Sequence, residues 1–92
     1  MEKSTHSPLY DAFRRRLVSL RKEAGLTQRQ LAARMKREQN FVIRIEGGDR
    51  RLDILEFYWF CQALDQDPLQ IIQQTFTDFD RMSLRTTRKK SK

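Results

Sequence analysis

Gln39, Asn40 and Arg44 are the side chains whose types and spacing could read another molecule. Each carries a planar group that can make two hydrogen bonds at once: an amide offers donor and acceptor side by side, a guanidinium a fork of donors. Paired bonds of this kind match the edges of heterocyclic bases, the amides suiting adenine and the guanidinium suiting guanine. The three share a side only on a helix. Phe41, Val42 and Ile45 recur at spacings of three and four, which predicts one. If Val42 and Ile45 face a core, then Gln39, Asn40, Ile43 and Arg44 face away from it. The predicted helix runs from about Glu38 to Glu46 and is stopped by Gly47-Gly48.

Other chemistry is hard to build from this chain. Cys61 has no second cysteine to pair with, and His6 is the one histidine, so neither a disulfide nor a zinc site is expected. Both residues read as structural or incidental. There is no glycine-rich phosphate loop and no Ser/His/Asp grouping, so no enzyme activity, cofactor or metal is expected, and no small-molecule effector is evident. No apolar run approaches the roughly 20 residues of a membrane span. Residues 1–6 are polar and lack a signal-type apolar stretch, so a cytoplasmic location is expected.

Charge is segregated along the 92 residues. Residues 1–13 carry net −1, 14–51 net +8, 52–80 net −6 and 81–92 net +6. A basic block and a basic tail around an acidic block point to a polyanionic partner. Lys36 and Arg37 just before the predicted helix, Arg50 and Arg51 just after it, and Arg29 are the candidate phosphate contacts. Arg14-Arg15-Arg16 reads instead as a solvated helix face.

Five helices and no strand must position these groups. Ser7-Pro8 is a cap followed by a first-turn proline, and Leu9, Phe13, Leu17, Leu20 and Ala24 then recur at helical spacing until Gly25. Thr27 and Gln30 fit a reciprocal capping box for a short second helix with Leu31, Ala32 and Met35 on one face. Asp53 and Glu56 start a fourth helix, whose Phe57, Phe60, Cys61 and Leu64 form an apolar face. Asp67-Pro68 opens a fifth, carrying Leu69, Ile72 and Phe76. After Phe79 apolar residues thin out and a flexible or frayed basic tail is expected. Loops this short require compact packing, and the tightest lies between helices 2 and 3.

The segment Leu26 to Gly48 resembles the helix-turn-helix of the Cro and repressor (XRE-like) family. The matching residues are Leu26-Thr27-Gln28, Leu31-Ala32, Met35, Gln39-Asn40, Val42, Ile45-Glu46 and Gly47. The continuation RRLDILEFYWFCQALDQDP is similar to that family's fourth helix and the start of its fifth, so the likeness covers about residues 9–76. It implies an all-α, five-helix bundle of the phage-repressor DNA-binding domain type. It also implies that Gln28 grips a phosphate, and that Arg21 pairs with Glu46 in a partly buried structural ion pair. Three positions depart from the family pattern. Lys36 stands where the turn usually has glycine, so the turn is either strained or rearranged. Glu38 would repel phosphate, yet it can accept a hydrogen bond from a cytosine amino group. Ile43 can meet a thymine methyl group or mark a protein contact.

The expected organisation is an N-terminal arm (1–7), a helix-turn-helix DNA-binding domain (8–80) and a basic tail (81–92). The expected function is that of a sequence-specific transcriptional regulator, a homodimeric repressor reading a palindromic operator in double-stranded DNA. Base readers would be Gln39, Asn40, Arg44, Glu38 and Ile43. Ile71, Phe76 and Phe79, more apolar surface than a thin helix can bury, and Trp59 are the expected dimer interface. The alternative is a protein-interaction or antitoxin-like module that keeps the fold with weak or no base readout.

Overall fold

Ser7 starts the first helix by accepting hydrogen bonds from the backbone N–H groups of Leu9 and Tyr10, and Pro8 supplies a ready-made φ at the first helical position. The computed structural model describes residues 7–87, the side chains of 84–87 excepted. Within them the order is α1 (Pro8–Glu23), α2 (Gln28–Arg34), α3 (Gln39–Gly47), α4 (Ile54–Ala63) and α5 (Pro68–Thr87). Helices α2 and α4 both open on capping boxes, Thr27 with Gln30 and Asp53 with Glu56, each satisfying two otherwise free N–H groups. Asp67 caps α5 through the N–H of Leu69. Helix α3 differs: Glu38 is its N-cap residue but makes no side-chain cap bond.

The ends of α1 to α4 share one device, a residue of positive φ after the last turn, and α2 shows why it matters. The N–H of Lys36 donates to the carbonyl of Ala33 and that of Arg37 to the carbonyl of Ala32, closing the double-bonded C-terminal motif. The motif needs a left-handed residue, and Lys36 takes that role at φ 59° without the freedom of glycine. Of the two outcomes open at this turn, the chain keeps the geometry and accepts the strain.

The core is a single cluster to which every helix contributes. Leu17 of α1, Leu31 and Ala32 of α2, Val42 and Ile45 of α3, Phe57, Phe60 and Cys61 of α4, and Ile71 of α5 are all buried. Burying a side chain of this size contributes about 1.5–3 kcal/mol, so this cluster is what holds α2 and α3 at their angle. Thr75 is buried as well, and its hydroxyl is satisfied by donating to the carbonyl of Ile71.

Three expectations need correction. Ile71 belongs to this core, 2% exposed, and is not available to a dimer interface. The chain beyond Phe79 stays helical through Thr87, so what reads as the start of a tail at 81 is the last part of α5. Arg14-Arg15-Arg16 is not a uniform solvated face. Arg14 donates to the carbonyl of Glu46 at 2.6 Å, and Arg16 reaches α5 through Gln74 and Asp78, leaving Arg15 exposed. His6 and the basic residues 88–92 lie outside the described residues.

Candidate nucleic-acid interface

Helix α3 turns Val42, Ile45 and Glu46 inward and leaves Asn40, Ile43 and Arg44 exposed, with Gln39 half-buried in its first turn. The outward face divides along its length. Asn40 and Arg44, one turn apart, line a cleft of about 400 Å³ with Lys36, Arg37 and Arg50. Ile43 lines the opposite flank, a cleft of about 620 Å³ shared with Arg14, Arg15, Lys22 and Gln28. The helix is therefore a ridge carrying amides and a guanidinium between two basic flanks. Glu38 sits exposed at the ridge's leading end.

Each end of the ridge is held by a buried carboxylate. At the C-terminal end, Arg21 Nε donates to Glu46 Oε2 at 2.6 Å and Arg21 Nη2 to Glu46 Oε1 at 3.0 Å, a bidentate pair. Arg21 also donates to the carbonyl of Leu26 at 2.7 Å. Gln28 Nε2 donates to Glu46 Oε1 at 2.9 Å, so the amide that the resemblance assigns to phosphate also takes part in this network.

At the N-terminal end, Glu56 of α4 accepts two bonds of 2.8 Å from Arg50 and one of 3.2 Å from Arg37. The same carboxylate accepts the N–H of Asp53 at 3.0 Å. The hydrogen bond from Arg50 is the main reason the Glu56 carboxyl is held below its ordinary pKa, outweighing desolvation. That bond also raises the pKa of Arg50. Both guanidiniums lie over the Phe41 ring, Arg37 at 4.1 Å and Arg50 at 5.0 Å from its centroid.

The remaining cations are less constrained. Arg29 and Lys36 are exposed. Arg51 is exposed and lies 4.6 Å over the ring of Tyr10, whose hydroxyl accepts the N–H of Leu52 at 3.1 Å. Burial raises the Tyr10 pKa. The α3–α4 loop is thus pinned to α1 just beyond Arg51.

Of the residues read as an interface between copies, Trp59 and Phe76 are exposed, at 39% and 54%, and Phe79 is half-buried. They do not share one surface. Phe76 and Phe79, with ring centroids 5.9 Å apart, line an apolar groove with Tyr10, Phe13, Ile54 and Phe57. Trp59 lines another cleft with Arg34, Lys36 and Gln62. Cys61 is fully buried, and desolvation pushes its thiol to about 11, which keeps it protonated. No group of three His, Cys, Asp or Glu side chains among the described residues could hold a metal ion.

Sequence reasoning missed the Glu56 cluster and the Phe41 platform. Glu56 carried a signal, but as a cap. Nothing in its spacing marks Arg37, nineteen residues earlier, as a partner.

A seven-residue helix, a tight turn and a nine-residue helix with an outward polar ridge define the class: a helix-turn-helix DNA-binding domain. The family model of a helix-turn-helix domain matches residues 12–69. An XRE-family-like protein from Pseudomonas syringae pv. tomato is similar at 39% identity and TM-score 0.74, with 78% of this chain and 88% of that one covered. The restriction-modification controller protein C.AhdI of Aeromonas hydrophila is similar at 29% identity and TM-score 0.63, with 72% and 99% covered. The clp gene regulator ClgR of C. glutamicum shares the fold at 20% identity and TM-score 0.68, with 79% and 95% covered. No curated protein matches the chain. The chain belongs to the XRE-like helix-turn-helix family, whose members are DNA-binding transcription regulators. No helix among the described residues is long and apolar enough to cross a membrane.

Proposed function

We propose that this regulator is a cytoplasmic homodimeric repressor that reads a palindromic operator by laying α3 in the major groove. The observation that carries the reading is the polar ridge of Asn40 and Arg44, with the half-buried Gln39 beside Asn40 at the start of α3, standing between two basic flanks. Asn40 and Gln39 would pair with adenine and Arg44 with guanine, while Glu38 and Ile43 would touch cytosine and a thymine methyl group at the edges of the site. Lys36, Arg37, Arg50 and Arg51 would grip phosphates, joined by Arg29 and by the second N–H of the Gln28 amide. The basic residues beyond α5 would add affinity without sequence choice. Repression would follow from occlusion of a promoter, and no small-molecule effector is needed for it.

A second copy would cover the groove at Ile54, Phe76 and Phe79. Ile54 is 76% exposed and Phe76 54%, an apolar surface that costs free energy while it faces water. Trp59, which lines a different cleft, would lie outside that contact. Reading a palindrome requires that the pair hold its two α3 helices about 34 Å apart, one helical turn of DNA.

Selection of bound duplexes from a randomised pool tests the reading, and a palindromic consensus is the expected result. Gln39→Ala and Arg44→Ala should each lower discrimination between sequences by about 1–3 kcal/mol, whereas Arg51→Ala should weaken all sequences alike. Equal losses from the three would overturn base readout. The exposed Ile43 and Trp59 favour the second reading, a module that binds a protein partner and reads DNA weakly. It predicts no consensus and little salt dependence on random duplex.

A further inference from the structure

The two arginines over Phe41 share one buried counter-charge. Arg37 belongs to the turn before α3 and Arg50 to the loop after it. Both reach back to Glu56, whose side chain is 7% exposed, while their own remain about a third exposed, 33% and 34%. Arginine has five N–H donors in a fixed fork, and Arg37 uses only Nη2 on Glu56. Donors are therefore left for a second acceptor. The open side is the cleft that Lys36, Asn40 and Arg44 also line. Without Glu56, two like charges over one ring would repel each other, and each long side chain would regain its rotamers.

We propose that Glu56 is a specificity-determining positioning residue, which anchors Arg37 and Arg50 over Phe41 as a two-pronged clamp for backbone phosphates beside Asn40 and Arg44. The inference rests on α3 being the base-reading helix. Glu56 acts through the arginines and not on DNA. Its effects on the two kinds of binding are opposite in sign. A specific complex needs phosphates held at one place relative to Asn40 and Arg44, so a rigid clamp strengthens it. Non-specific binding needs only positive charge, and Glu56 removes one unit of it. The trio carries net +1 with the carboxylate and +2 without it.

The test uses the full chain and two probes, a duplex selected by the wild-type protein and a random-sequence duplex. Glu56→Gln keeps the shape and removes the charge. The ratio of the two affinities should fall about tenfold, with the random duplex bound more tightly than by wild type. The slope of log affinity against log salt on the random duplex should steepen by about 0.9, one further phosphate neutralised. Arg37→Gln should cost about tenfold on the selected duplex in the wild-type background but only about threefold on top of Glu56→Gln, because an unanchored side chain has less to lose. A purely structural Glu56 predicts otherwise: both affinities fall by one factor, and the Arg37 loss is the same in both backgrounds. Either result would overturn the proposal.

Circular dichroism establishes that each variant is folded at the temperature used. Should Glu56→Gln not fold, Phe41→Leu removes the platform and no charge. It should lower the ratio about threefold through the lost cation–π contacts, and an unaltered ratio would also overturn the proposal. If the wild-type protein selects no consensus, base reading fails and the clamp falls with it. A consensus together with an unaltered ratio in the variants sinks the clamp alone.

Discussion

Both ends of α3 rest on a buried carboxylate, yet the two differ in how water reaches their partners. At the C-terminal end, Glu46 and Arg21 are both sealed, their side chains 7% and 10% exposed. At the N-terminal end, Glu56 is as buried as Glu46, but Arg37 and Arg50 are about a third exposed, 33% and 34%. A sealed pair locks a helix in place, since neither charge can be rehydrated if the other is lost. A half-open pair costs less to break and keeps donors free for a ligand. One end of α3 is thus a hinge pin and the other a hand.

The largest effect expected from this contrast is on stability at the sealed end. Glu46→Ala or Arg21→Ala should cost about 3–5 kcal/mol by urea or thermal unfolding, because a buried charge is stranded. Replacing both by apolar residues of similar volume, Arg21→Met with Glu46→Leu, should recover most of that loss. A loss below about 1 kcal/mol for the single variants, the range of surface pairs, would erase the distinction.

At the open end, Glu56→Gln should cost about 1–2 kcal/mol near neutral pH, as the arginines rehydrate. The pH dependence follows from the lowered pKa of Glu56. A depressed carboxyl contributes stability above its unfolded value and loses it as pH falls through the folded one. The Tm gap between wild type and Glu56→Gln should therefore be widest at neutral pH and close as pH drops below the ordinary value of 4.5. A gap that ignores pH would mean that the carboxylate's charge contributes nothing.

The smallest expected effect lies in the turn that leads into the open end. Lys36→Gly should raise stability by up to about 1 kcal/mol, since glycine adopts the left-handed conformation without strain. A lower Tm would mean that the backbone strain is smaller than the unfolded-state entropy that glycine adds.

Most of the helix positions were legible in the residues. Caps at Ser7, Thr27, Asp53 and Asp67, glycine stops at Gly25 and Gly48, and apolar spacing place all five helices, because these signals act within one or two turns of chain. The end of α5 was not, because thinning apolar residues and rising charge read as a tail while the helix runs to Thr87. Ile71 and Ile72 show the limit for packing. Periodicity places both on α5, but which neighbour is buried depends on the angle at which α5 crosses α1 and α4. The structure buries Ile71 and leaves Ile72 half-exposed.

The site divides in the same way. The sequence by itself determines the identity of α3 as the outward-facing helix, an outward set of Gln39, Asn40, Ile43 and Arg44 of which the structure leaves Gln39 half-buried, and the excess of cations around it, since all of these follow from local periodicity and composition. Only the tertiary structure decides that Arg37 and Arg50 meet over Phe41 on a carboxylate from α4, that Arg14 bonds the end of α3, and that Trp59 and Phe76 face different clefts. Side-chain partners far apart in sequence are set by how whole helices dock, and docking is a property of the assembled core that no short window of residues contains.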